Sequence, residues 1–168
     1  MSKDLLTRVL PSLKFTYMPF LERYLEALEK CRARGATYYA ISLYRSYEEQ
    51  TKLYAQGRTA AGAIVTNARA GSSAHNFGCA ADCARDANLQ LAGLQPTWNA
   101  KDYSILGEEV VKVGLEWAGN WKTFKEYGHV GWPGLSNPAM LKKLDVAFRK
   151  EGLQAAWALL DPPPLNVA

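Results

Sequence analysis

The sequence has no apolar run of the roughly 18–20 residues that a membrane-spanning helix needs, and no cluster of Lys and Arg. The first absence excludes an integral membrane segment. The second argues against a nucleic-acid partner, because such a footprint gathers basic residues on one surface. The net charge of +4 is mild and chiefly serves solubility, although it permits attraction to an anionic wall or membrane. Cysteine is scarce: Cys31, Cys79 and Cys83 are odd in number and form no disulfide framework, which fits a reducing compartment. The first residues, MSKDLLTRVLPSLKF, lack the apolar stretch and small-residue cleavage site of a secretory signal. Synthesis and first residence in a cytoplasm are expected. Internal repeats, low-complexity tracts and linkers are missing, so residues 1–168 read as one domain. Histidine is rarest of all, with two in the chain.

What is present has clear periodicity. Phe20, Leu21, Tyr24, Leu25, Leu28 and Cys31 recur at helical steps and predict a helix from Pro19 to Arg34, stopped by Gly35. TYYAISLY (37–44) reads as a buried strand. Ser46 with Glu49 is a capping box opening a helix that ends near Gly57. Arg45 therefore stands at a strand-to-helix corner, from which a side chain can enter a cleft. Residues 58–74 read as an irregular loop, 77–85 as a strand of small residues, and 88–101 as a loop. Tyr103, Leu106, Val110, Val113 and Trp117 predict one helix over 102–117, ended by Gly119. Residues 126–132 suggest a short strand. Asn137-Pro138 is an N-cap and first helical residue for a helix to about Lys150, with Gly152 as breaker and a second short helix after it. The tail DPPPLNVA cannot be helical.

One histidine lies in SSAHNFGCAAD (72–82), the other in EYGHVGW (126–132). His75, Asp82 and His129 supply the nitrogen and oxygen donors of a catalytic zinc site, which uses three protein ligands and leaves one position open. Two neutral ligands and one anion leave the ion positive, able to polarise a carbonyl and lower the pKa of its water to about 7. His75, Cys79 and Cys83, spaced by four, are a rival set if the segment is helical. Gly78 and its small neighbours disfavour that helix. In a strand, Gly78, Ala80 and Asp82 share one face, and Cys79, Ala81 and Cys83 the other. Glu126, three residues before His129, is placed to take a proton from the attacking water and pass it to the leaving amine. Each of these side chains alone also fits an ordinary role: hydrogen-bonded structural histidines, a solvated Glu126, an ion-paired Arg45.

Taken together, three ordered stretches resemble a known family. Ser73, His75, Gly78, Ala80 and Asp82 fill an S-x-H-x-x-G-x-A-x-D pattern. WAGNWKTFKEYGH is similar to a W-G-G-D-W segment followed by D/E-x-x-H, and YRSYEEQTKLYAQGRT resembles a strand-Arg-Ser-helix segment with Arg45 and Gln50. These are signatures of the LAS-type zinc peptidases of peptidoglycan, with most similarity to phage endolysins of the L-alanyl-D-glutamate peptidase type, relatives of D-Ala-D-Ala carboxypeptidases. The resemblance spans roughly residues 20–135. Asn120 and Gly128 stand where many relatives have Asp and Pro.

The resemblance implies an α+β fold of the hedgehog/D-Ala-D-Ala peptidase kind, a small antiparallel sheet with flanking helices and a helical C-terminal end at about 137–160. It implies one Zn2+ ion bound by His75, Asp82 and His129, Glu126 as general base and acid, Arg45 on the developing oxyanion, and Ser73 and Gln50 in the substrate cleft. The expected substrate is peptidoglycan, cut at L-Ala–D-Glu by a monomer that waits in the host cytoplasm and reaches the wall through a separate membrane lesion. Alternatives are a D-Ala-D-Ala carboxypeptidase and a non-catalytic zinc-containing wall-binding module. The C-terminal helices could pack on the core, bind the wall or disturb an outer membrane; packing is the expectation for such an apolar face.

Overall fold

The structure, a computed structural model, describes residues 3–90 and 92–160; the tail 161–168 lies outside the described residues. Among the described residues, five α-helices and a five-stranded antiparallel sheet make an α+β fold; strands β1 (Tyr38–Ser42), β2 (Ala80–Asp86), β5 (His129–Gly131) and β4 (Glu116–Trp117) lie side by side in that order, and β3 (Pro96–Thr97) pairs with β2. Helix α1 (Met18–Ala33) carries Pro19 in its first turn and buries Phe20, Tyr24, Leu28 and Cys31. Strand β1 (Tyr38–Ser42) and strand β2 (Ala80–Asp86) pair next to it, and β2 also pairs with β5 (His129–Gly131). Alternation of side chains along a strand then sorts core from site. Tyr38, Ala40, Ala81, Cys83 and Val130 are completely buried, whereas Asp82 and His129, opposite one another across the ladder, keep access to solvent. Burying each large apolar side chain of this core contributes about 1.5–3 kcal/mol.

Between Ser46 and Gln56, helix α2 (Tyr47–Ala55) has the expected capping box: Glu49 N–H donates to Ser46 Oγ, and Ser46 N–H to Glu49 Oε2. The expected helix over 102–117 is shorter. Helix α3 (Ser104–Lys112) stops before Gly114, which has φ +76, and Trp117 belongs to strand β4 (Glu116–Trp117). Its helical spacing from Val113 is coincidental, since a left-handed glycine intervenes. The loop expected over 88–101 contains the two-residue strand β3 (Pro96–Thr97) and the start of a 3-10 turn, Ala100–Tyr103. A feature absent from the sequence reading is the 3-10 helix Lys3–Phe15, whose Leu5, Leu6 and Val9 are buried and which covers the outer edge of β1. That covering removes an open sheet edge.

Asn137 caps helix α4 (Pro138–Glu151) by accepting from Ala139 N–H, Gly152 ends it with φ +83, and α5 (Leu153–Trp157) follows. These helices pack on the molecule as expected. Phe148 meets Tyr47 and Phe77, and Trp157 Nε1–H donates to Phe77 O at 2.7 Å. No helix among the described residues is long and apolar enough to cross a membrane.

Candidate metal centre and cleft

His75 sits in a 3-10 turn, Ala74–Phe77, that delivers the chain into β2 through Gly78. Gly78 has φ +64, and a Cβ there would run into the Phe15 carbonyl and Thr16, so both conformation and space call for glycine. The turn brings His75 round to the face of the sheet that carries Asp82 and His129. His75 Nε2 lies 3.3 Å from Asp82 Oδ1 and 3.3 Å from His129 Nδ1, and His129 Nδ1 lies 2.9 Å from Asp82 Oδ1. A tetrahedral ion with donors at roughly 2.0–2.1 Å holds them about 3.3 Å apart, so the three donors fit a divalent cation. They are the one such group among the described residues.

The surroundings fix which atoms face the cleft. His75 Nδ1–H donates to the Leu43 carbonyl at 2.6 Å, leaving the Nε2 lone pair turned toward Asp82 and His129. A bulge at Ile41 in the β1–β2 ladder sets Ser42 opposite Asp82. Ser42 Oγ then accepts from Arg45 at 3.3 Å, and the same guanidinium nitrogen reaches Asp82 Oδ2 at 3.3 Å. Arg45 and His75 are further tied by the main chain: Arg45 N–H donates to His75 O, and the buried Asn76 amide donates to Arg45 O while accepting from Gly71 N–H. Asn76 escaped the sequence reading; its only signal was its place between His75 and the Gly78 turn.

Burial works against the charge on Asp82, but His75 and His129 outweigh it and hold the carboxyl well below the usual carboxylate range. Burial likewise lowers His129, yet Asp82 more than compensates and raises its pKa above the ordinary value. In the metal-free protein the His129 proton therefore stabilises the fold below about pH 6.5, and that contribution is lost as pH rises through the raised value. The ionised Asp82 contributes above its ordinary pKa, and this is lost as pH falls through the lowered one. A cation must displace the His129 proton. Its affinity is expected to weaken by about tenfold for each pH unit below the His129 pKa, measurable by chelator-competition titration between pH 5 and 8.

The rival set with cysteines is overturned. Cys79 and Cys83 point into the core, away from Asp82, and burial pushes both thiols far up; Cys31 is pushed up to about 12. No cysteine belongs to the donor group that His75, Asp82 and His129 form.

A cleft of about 1080 Å³ opens over the donors. Glu126 lines it, 60% exposed, with Oε2 4.0 Å from His129 Nδ1. Trp121 packs 5.5 Å from the His129 ring, and Ser73 and Arg45 also line the cleft. The base of the Glu126 loop is pinned, with Trp117 Nε1–H on Tyr127 O and Cys83 N–H on Gly128 O. Gln50 is placed differently from the rest. It is 0% exposed and not among the lining residues; its Oε1 accepts from Arg45 at 3.0 Å, and its Nε2 donates to Ala68 O at 2.7 Å. Its side chain is enclosed behind Arg45 rather than open to the cleft.

A His-Asp-His donor set under an open cleft, with a carboxylate and a guanidinium beside it, has the make-up of a hydrolase site, and comparison with known proteins defines the class as a peptidase. Residues 18–132 match the VanY family, described as D-alanyl-D-alanine carboxypeptidase. The peptidoglycan L-alanyl-D-glutamate endopeptidase CwlK of Bacillus subtilis is 38% identical over 121 residues, which is 67% of this chain and 71% of that protein. The L-Ala D-Glu endopeptidase ChiX of Serratia marcescens shares the fold, with a TM-score of 0.55 at 20% identity over 79% of this chain and 91% of that one. The chain belongs to the VanY family, and the resemblance to the LAS-type peptidases is borne out.

Proposed function

We propose that this protein is a zinc-dependent peptidoglycan hydrolase that cuts the L-Ala–D-Glu bond of the stem peptide. The observation that supports it most is the conjunction of the His75–Asp82–His129 donor spacing with Glu126 beside it, in a chain 38% identical to an L-alanyl-D-glutamate endopeptidase. His75 Nε2, Asp82 Oδ1 and His129 Nδ1 would hold the ion, which when bound polarises the scissile carbonyl and makes water a nucleophile at neutral pH. Glu126 takes the proton of the attacking water and delivers it to the departing amine nitrogen. Arg45 presents a fixed positive charge to the carbonyl oxygen as it turns negative. Gln50 acts at one remove by holding the Arg45 guanidinium, and Ser73 offers a hydroxyl on the cleft wall. The reading extends to a monomeric phage endolysin, made in the host cytoplasm and admitted to the wall by a separate membrane lesion; the mild positive charge suits an anionic wall.

The test is digestion of purified diaminopimelate-type peptidoglycan by zinc-loaded and chelator-stripped protein, followed by mass spectrometry. Stem peptides released with L-Ala left on the glycan, only with metal, are expected. Loss of a terminal D-Ala alone would move the protein to the second reading, a carboxypeptidase, which the family description favours. No cleavage by protein holding zinc would leave a binding module. Producer cells that lyse only after their inner membrane is permeabilised are the expected outcome for an endolysin.

A further inference from the structure

The family match ends at residue 132, yet the cleft does not. Pro138, Leu141, Lys142 and Asp145 of α4 line the same cavity as His75 and His129. Their spacing of three and four residues places them on one face of the helix. This face is braced against the floor of the site. Asp145 Oδ1 accepts from Tyr47 Oη–H at 2.6 Å and from Arg149 Nε–H at 2.9 Å, and a Cβ on Gly71 would collide with the same carboxylate. A helix outside the family segment is thus a wall of the cleft, held in a fixed position.

The charges lining the cleft are unevenly committed. Arg45 faces Asp82, Asp145 is taken up by Tyr47 and Arg149, and Glu116 accepts from Gly134 N–H. Glu126 lies beside His129. Lys142 is exposed, and no ion pair or hydrogen bond engages its ammonium among the described residues. Asp145, one turn along the helix, is turned to Arg149 instead. Among the described residues, Lys142 is therefore the cleft-lining Lys or Arg without an ionic partner, and it stands on the α4 wall.

We infer that Lys142 binds a carboxylate of the substrate on the leaving-amine side of the scissile bond, making α4 a specificity element. The inference rests on the proposed L-Ala–D-Glu reading and deepens it. Glutamate has two carboxyl groups. With its nitrogen in the scissile amide and one carboxyl continuing the stem, the other remains as a free carboxylate, or as a carboxamide where the wall is amidated. A point charge such as Lys distinguishes these two forms, because its ammonium forms an ion pair with the carboxylate but only an ion–dipole hydrogen bond with the neutral carboxamide.

The experiment uses the full chain with zinc and two synthetic stem peptides that differ only in carboxylate or carboxamide on the D-glutamyl residue. Wild type is expected to favour the carboxylate peptide by about tenfold in kcat/KM. Lys142→Ala should lose this preference through a raised KM for that peptide, with kcat and the carboxamide peptide little changed. Lys142→Arg should keep the preference. An undiminished preference in Lys142→Ala, or an equal loss on both peptides, overturns the inference while leaving the reaction assignment standing. Cleavage of neither peptide by wild type, with whole wall still cut at another bond, overturns the L-Ala–D-Glu reading and the inference with it.

Discussion

Glu126→Gln is expected to lower kcat by about 10²–10⁴ while the protein still binds one zinc ion and keeps its melting temperature. The carboxylate is 60% exposed and lies 4.0 Å from His129. It contributes little to the core, so its removal spares the fold. Glutamine keeps the size and loses the basicity, which isolates proton transfer. Steady-state kinetics with metal analysis on the same sample checks it. A variant retaining more than a tenth of wild-type activity would sink Glu126 as the base and acid.

His75→Ala is expected to abolish both metal binding and turnover, with a cost to stability as well. The ring donates to the Leu43 carbonyl from a site that is 2% exposed. Losing it leaves a buried acceptor unpaired, at about 1–3 kcal/mol. His129 Nδ1 faces Asp82 in a partly open position, so His129→Ala should lose metal with a smaller drop in melting temperature. Chelated wild type should regain activity on adding zinc, and neither variant should. Zinc restoring full turnover to His75→Ala would remove that residue from the ligand set.

Much of this was legible in the chain because local chemistry determined it. The Ser46–Glu49 box, the Pro19 and Pro138 helix starts and the glycines after α1, α2 and α4 act within a few residues of themselves. The alternation that turns Asp82 outward and Cys79 and Cys83 inward is a property of any strand. Gly114 misled because a left-handed glycine interrupts helical spacing without altering it, and Trp117 fell on the period by chance. Gln50 misled for a different reason. Its distance in sequence from Arg45 is short, but burial depends on the loop around Thr66 and Ala68 folding over it. The 3-10 helix Lys3–Phe15 has its apolar residues at helical spacing but contains Pro11, which argues against a helix from the sequence, and the edge of β1 gives its apolar side something to cover. That α4 walls the cleft depends on Tyr47 and Phe77 meeting Phe148 across the molecule.

The donors also matter to chain topology. His75 and His129 stand 54 positions apart, on segments brought together by the three residue pairs of the β2–β5 ladder and by no disulfide, since all three cysteines are free. An ion held by both is a removable cross-link. By the chain-entropy arithmetic used for disulfides, closing a loop of that length disfavours the unfolded chain by about 4 kcal/mol. Unlike a disulfide, such a staple does not depend on redox state; it would be set by the supply of zinc and removed by a chelator.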